Sequence, residues 1–387
     1  MKTKKVLILL ASALFLLASC NNNEEFINDT SPTQKEENFL SKTAIAFANS
    51  INQTNTTRSA TTYSVKSINT LPVRQDLPAT RTATELPDFY TVTLDNNQGT
   101  VLLSAKNRQA KPLAYFMKEN NINVNEILKD TISDLAFLIQ TTIEQNMEMP
   151  VQTRAVMPDD FIPDYEYLTL CMVKPKCKVW WHQNYPYNQF CPLVEGKPAA
   201  TGCVAIAGAQ AATVLRPNLP GVSSWDKIAT YEDHIAIKEK AKLIAYIASK
   251  VNKNYGVHNS AGDNDTLAAF FEEYGIKDYD AEHAIDVLNT EHGVIVAKGY
   301  RSVHGWFKKH YVDGHTFLAD GYIKLYGQDD YYLHLNYGWG NGWKNDDTYI
   351  LTAKKHWDRK KADKIKLTVY ANKLCYYSFA YETEKNW

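Results

Sequence analysis

The sequence predicts an α+β chain. Three observations carry this: an alternating hairpin and an amphipathic helix between residues 89 and 146, a helix of small apolar residues opening at Cys203, and two alternating strands at 314–321 and 331–337. The 387 residues are enough for two or three domains at roughly 150 residues each. A chain of that size buries a core without disulfide staples. Lys plus Arg number 42 and Asp plus Glu 43, for a formal net charge of −1. Such a balance argues against a dedicated nucleic-acid binder. Apolar residues at 44% and charged residues at 22% exclude wholesale disorder.

Residues 1–19 read as an address rather than as structure. Lys2, Lys4 and Lys5 form a positive n-region, and Val6 to Leu17 is apolar except for Ser12. That run falls short of the about 20 residues a spanning helix needs, but suits the h-region of a signal peptide. It ends Leu17-Ala18-Ser19-Cys20, which resembles a bacterial lipoprotein signal. Cys20 then becomes the lipid-bearing first residue, and tethers the chain to a membrane without a transmembrane helix. An ordinary cleaved signal with an incidental Cys is the alternative.

Residues 20–62 are mostly polar and read as a flexible tether. Within them Leu40, Ala44, Phe47 and Ile51 hint at a short helix over Phe39–Ile51. In residues 63–154, Phe89 to Leu94 alternates, Asp95–Gly99 supplies turn residues and Thr100–Ala105 is a second strand. The stripe Leu128, Ile132, Leu135, Ile139 and Ile143 then marks a helix from Asn125 to Asn146. This is a small α+β unit. The stretch Pro150–Pro158, which contains Arg154, reads as an exposed linker of the kind that is readily nicked. Residues 155–387 hold all eight Trp and form a second, Tyr/Trp-rich domain.

Ala199-Ala200-Thr201-Gly202-Cys203 leads into a segment that is small and apolar on nearly every face up to Leu215. That predicts a buried helix, capped by Thr201 or Gly202 and stopped by Pro217. Cys203 falls in its first turn, where free N–H groups and the helix dipole favour a thiolate. A buried structural Cys is the plainer reading.

Gly314 to Gly321 reads as a strand that starts after Gly314 and ends in a turn at Asp320-Gly321. Tyr331 to Tyr337 reads as its partner and runs into Gly338-Trp339-Gly340-Asn341-Gly342-Trp343. Side by side, these strands let the Asn336 carbonyl accept the N–H of His315 and fix its tautomer. The Gly/Trp loop would cover that bond. His304, His310 and His315 are spaced by six and five, which suits no zinc helix. Gln183 lies 20 residues before Cys203. Its amide and the Cys203 N–H would make an oxyanion hole, although a surface Gln in a Tyr-rich loop has the same local sequence.

The order Gln183, Cys203, His315, Asn336 resembles that of papain-like cysteine peptidases. Ala199–Ala205, Gly314–Phe317, Asp320–Tyr322 and His334–Gly340 resemble the streptopain family more specifically. So do Gln183–Asn188 with Cys191-Pro192, and Val101–Ala105 with Pro112–Tyr115 in the N-terminal unit.

The resemblance implies a papain-like fold, with a helical part carrying the Cys and an antiparallel sheet part carrying His and Asn, preceded by a small propeptide. It implies Cys203 as nucleophile, His315 as general base and acid, Gln183 as oxyanion donor and Asn336 as the His orienter. Trp339 would shield that contact, with Tyr337, where the family commonly has Trp, and Gly314 lining the substrate side. A zymogen is implied, inhibited by residues 63–154 and cleaved after Arg154.

No metal or organic cofactor is implied. Partners are protein or peptide substrates, the chain's own propeptide, and a membrane through the lipid on Cys20, with no nucleic acid. The location implied is that of an exported bacterial lipoprotein, in the periplasm or at the cell surface. Cys171–Cys177 pairing is open by spacing, and Cys191 and Cys375 are unassigned. Two rival readings share the sequence: an amidase or peptidase acting on cell-wall peptides, and a surface binding module whose aromatics form a groove.

Overall fold

The structure is a computed structural model that describes residues 34–52, 63–71, 88–106, 109–117, 123–129, 139, 142–143, 146, 169–230, 233–279, 283–304, 309–325, 330–340, 348–352 and 374–381. The leader with Cys20, the linker with Arg154 and the loop from Asn341 to Trp343 lie outside these residues. The N-terminal part comprises α1 (Gln34–Asn52), β1 (Val65–Leu71), β2 (Asp88–Leu94), β3 (Thr100–Lys106), β4 (Gln109–Phe116) and α2 (Val124–Lys129). The expected hairpin is β2–β3, with pairs from Asp88↔Ala105 to Thr93↔Thr100. Helix α1 stands inside the stretch read as a tether. Its stripe Leu40, Ala44, Phe47 and Ile51 is buried, so this segment belongs to the core.

The C-terminal part begins with β5 (Thr169–Val173), followed by the small ribbon β6 (Leu193–Val194) and β7 (Lys197–Pro198). Then come α3 (Cys203–Leu215), α4 (Trp225–Thr230), α5 (His234–Val251), the ribbon β8 (Asn252–Asn254) and β9 (Ala261–Gly262), α6 (Asn264–Glu272), β10 (Ile276–Tyr279) and α7 (Ala284–Asn289). The chain closes with β11 (Val294–His304), β12 (Lys309–Leu325), β13 (Tyr331–Asn336), β14 (Thr348–Thr352) and β15 (Leu374–Tyr381).

Among the described residues, one 11-stranded sheet runs β1-β2-β3-β4-β14-β13-β12-β11-β15-β10, with β5 paired to the far end of β12. Every recorded pairing in it is antiparallel. The N-terminal strands join the C-terminal ones through β4 and β14, by Thr348↔Phe116, Tyr349↔Tyr115 and Ile350↔Ala114.

Strand alternation gives this sheet two apolar faces. Ile295, Ala297, Phe317, Ala319 and Tyr337 face one core, with α1 and α7. Val294, Val296 and Leu318 face the other, with α3, α5 and α6. The N-terminal part shares the first core: the Phe47 and Tyr332 rings lie 4.9 Å apart, and Tyr332 Oη donates to Pro112 O at 2.9 Å.

The strand that carries His315 is longer than expected. It does not turn at Asp320-Gly321 but continues to Leu325, because β5 supplies a partner from Tyr322 onward. The turn residues instead mark a slip of register between Ala319 and Gly321.

Candidate active site

Cys203 is the first residue of α3, as its sequence context predicts. Val204 to Leu215 are all buried, so tertiary packing on every face holds the helix. The cap is Gly202, with φ 88° and no side-chain hydrogen bond. A Cβ there would sit 2.8 Å from Ser260 O, so both conformation and space demand glycine. The preceding backbone is clamped: Ser260 Oγ donates to Ala200 O at 2.6 Å, and Asn252 Nδ2 to Thr201 O at 2.8 Å. Cys203 itself is half-buried, with its thiol free.

His315 is buried on β12, and its Nε2 donates to the backbone carbonyl of Tyr337 at 2.9 Å. A carbonyl only accepts, so Nε2 carries the proton and Nδ1 is left for Cys203. Trp339 stacks on the imidazole with centroids 5.3 Å apart, and Tyr337 stacks on Trp339 at 4.8 Å. Gly338 turns the chain between these two with φ 74°, and a Cβ there would meet Ile206 of α3 at 2.6 Å. Gly314 lies where β12 carries one residue more than β11, between the pairs Gly299↔His315 and Arg301↔Val312.

Asn336 is not on His315. Its Nδ2 donates to Val179 O at 2.9 Å, and its Oδ1 accepts from Gly338 N at 3.2 Å. The cause is the register slip. Had the pairing of Gly321 with His334 continued unshifted, Asn336 would oppose Ala319, on the face of His315. The slip sets it opposite Leu318, on the α3 face. Asn336 therefore reaches His315 one step removed, by fixing the Tyr337–Gly338 turn whose carbonyl holds the ring.

Gln183 ends an extended segment that is tied at nearly every other residue. Cys177 N donates to Asp320 Oδ2 at 2.6 Å, Val179 O accepts from Asn336, and Trp181 N donates to Gln210 Oε1 at 3.0 Å. His182 bridges Trp339, and Gln183 O accepts from Thr201 N at 3.0 Å. The last bond sets Gln183 beside the chain two residues before Cys203. Its half-buried carboxamide has no hydrogen-bond partner among the described residues.

Five groups here carried little or no sequence signal of this role. Gln210 was visible only as one polar residue in an apolar helix, and the Tyr337 carbonyl has no side-chain signature. Thr316 and Asn264 are buried, and Thr316 Oγ1 lies 3.1 Å from Asn264 Oδ1. Alternation from His315 would have set Thr316 toward α3, whereas nothing pointed to Asn264. Asp320 forms a buried pair with His334, whose Nδ1 donates to Oδ1 at 2.6 Å.

The electrostatics single out one thiol. Burial alone would push Cys203 up from 9.0. The hydrogen bond and charge of His315, with hydrogen bonds from the backbone and side chain of Thr316, outweigh burial and hold it below that value. Burial pushes Cys177 up to about 12 and Cys191 up to about 11. Cys171 and Cys177 are free thiols, so the pairing left open by their spacing is not formed.

No family model matches the chain, and no curated protein matches it. Among solved structures, it is similar to a fragment of prointerpain A from Prevotella intermedia, at 18% identity and a TM-score of 0.45, over 73% of this chain and 91% of that one. It is also similar to the active wild-type interpain A cysteine protease of Prevotella intermedia, at 19% identity and a TM-score of 0.35, over 55% and 96%. What the site can do follows from its own contacts: a half-buried cysteine at a helix start, an imidazole of fixed tautomer, and a free carboxamide tied nearby.

Proposed function

We propose that the chain is a cysteine endopeptidase of the papain-like, streptopain type. The observation that carries this is the Cys203–His315 pair, in which the thiol is acidified by an imidazole whose other nitrogen is held on Tyr337 O. The Cys203 thiolate attacks a peptide carbonyl, and the Cys203 N–H and Gln183 Nε2 stabilise the oxyanion. His315 protonates the leaving amine, then takes a proton from the water that hydrolyses the thioester. Asn336 acts through the Tyr337–Gly338 turn, and Trp339 with Tyr337 covers the ring and keeps water from the Nε2 bond. Gly314, beside His315, lines the substrate side.

Residues 63–154, with α1, serve in this reading as a propeptide released by cleavage after Arg154. The leader ending at Cys20 supports export and a lipid tether to a membrane. The test is incubation of the purified 21–387 chain with casein under reducing conditions, beside Cys203→Ala. Casein cleavage and self-processing by the wild type alone support the reading. A folded wild type that cleaves nothing overturns it, and cutting of cell-wall peptides alone replaces it with the amidase reading.

A further inference from the structure

His182, the residue before Gln183, carries a donor that the mechanism above leaves unused. It pairs with Trp339 in an isolated antiparallel bridge. Residues paired in this way project to the same face, with Cβ atoms about 5 Å apart. Trp181, one residue earlier, is buried in the α3 core, so by alternation His182 turns away from α3. Its imidazole is held in place. A Cβ on Gly340, where φ is 84°, would meet the ring Cδ2 at 2.6 Å, so glycine leaves the room that the ring fills. The Tyr187 ring meets it edge-on, with centroids 5.0 Å apart. Asn184 N donates to its Nδ1 at 3.3 Å.

A ring nitrogen that accepts carries no proton, so in the neutral ring Nε2 is the N–H. Burial lowers the His182 pKa from its ordinary 6.5, which keeps the ring neutral at about pH 7. Nε2 has no hydrogen-bond partner among the described residues, and the side chain is only half-buried. The result is a fixed donor beside Trp339. The chemistry says which part of a substrate passes it. His315 gives its proton to the leaving amine, so the half of the substrate on that amine departs on the imidazole's side of Cys203. Trp339 lies on that imidazole, with centroids 5.3 Å apart, and His182 stands next to Trp339.

We propose that the Nε2–H of His182 binds the backbone carbonyl of the residue after the scissile bond, and so holds the leaving half of a peptide substrate. This deepens the peptidase reading and rests on it. Every peptide carries that carbonyl, so the contact favours substrates that continue past the cut, whatever side chain follows.

The test compares two substrates that share the acyl half of a peptide the wild type cuts in casein. One continues past the cut with two glycines, and the other ends there in an aminocoumarin, which has no such carbonyl. The full 21–387 chain is used after self-processing. The readout is the ratio of kcat/KM for the two substrates, which cancels any difference in the matured fraction. His182→Ala is expected to lower this ratio about fivefold. His182→Phe, which refills the space beside Gly340 without a donor, is expected to lower it equally. His182→Gln, which keeps an N–H, is expected to stay within about twofold of wild type. If His182→Ala does not fold by circular dichroism, His182→Phe alone decides. An unchanged ratio overturns the proposal, including the case in which both substrates slow equally because His182 serves only to position Gln183. A ratio kept by His182→Phe but lost in His182→Ala also overturns it, since packing would then explain the effect. A wild type that cuts neither substrate overturns the peptidase reading and the His182 assignment with it.

Discussion

His315 and Asn336 stand on adjacent strands and turn their side chains to opposite faces of the sheet, so the hydrogen bond on the imidazole comes from the backbone of Tyr337. A backbone carbonyl cannot be removed by substitution. The residue that holds it in place can be.

Asn336→Ala should therefore act first on stability. It strands Val179 O and Gly338 N, at a cost of about 1–3 kcal/mol. Urea denaturation measures this directly. Casein cleavage should fall far less than in His315→Ala, because the Tyr337 carbonyl remains. Equal losses in the two variants would mean that the Asn336 amide itself meets the ring during turnover.

Thiol reactivity should separate the cysteines. At about pH 8, iodoacetamide should modify Cys203 at least about tenfold faster than Cys177 or Cys191. Burial raises those two to about 12 and about 11, whereas His315 and Thr316 lower Cys203. Peptide mapping after brief labelling gives the order, and modification of Cys177 ahead of Cys203 would contradict it.

The same depressed thiol links stability to pH. Its folded value lies below the unfolded 9.0, so its contribution is fully present above pH 9.0 and is lost as pH falls through the folded Cys203 value. Urea midpoints of wild type and Cys203→Ser should differ most near about pH 10 and converge toward acid. A gap that widens on acidification would reverse the sign.

Gly202→Ala should damage fold and site together. Its φ of 88° and the 2.8 Å approach to Ser260 O leave no room for a side chain. The expected cost is about 1–3 kcal/mol, with slower Cys203 alkylation because the start of α3 is displaced. Unchanged alkylation would show that the helix start tolerates the shift.

Asp320→Ala should be the most destabilising of these changes, by about 3–5 kcal/mol. Its carboxylate is wholly buried and accepts from both Cys177 N and His334 Nδ1. The loss should appear in chemical denaturation. It should also appear as reduced casein cleavage, since the segment that ends at Gln183 loses its first tie.

Local pattern made much of this legible. Alternation marked β2, β3, β12 and β13, and the small-residue run marked α3 with Cys203 at its start, because those signals are written in consecutive residues. The face on which Asn336 lies was hidden. It depends on one slipped pair between Ala319 and Gly321, and a single slip inverts every later side chain. The partnership of Thr316 with Asn264 joins residues 52 apart, and the ties on Gln183 come from Thr201 and, through its segment, from Gln210, Asn336 and Asp320. Such contacts belong to the folded chain and leave no periodic trace. Helix α1 was half legible, since its apolar stripe was visible inside an otherwise polar stretch while the core it fills was not.

The ladder between Tyr115 and Tyr349 gives a cut in residues 118–168 a particular meaning. Scission there breaks one covalent tether and leaves every hydrogen bond between β4 and β14, and the Phe47–Tyr332 contact, intact. The two pieces then pass from an intramolecular effective concentration to mass action, so their separation depends on dilution rather than on cleavage. Once they separate, β14 becomes a bare sheet edge able to take up another strand, and the released piece competes for that edge at high concentration. In the proposed zymogen reading, nicking and release would therefore be two separate steps, the second set by dilution.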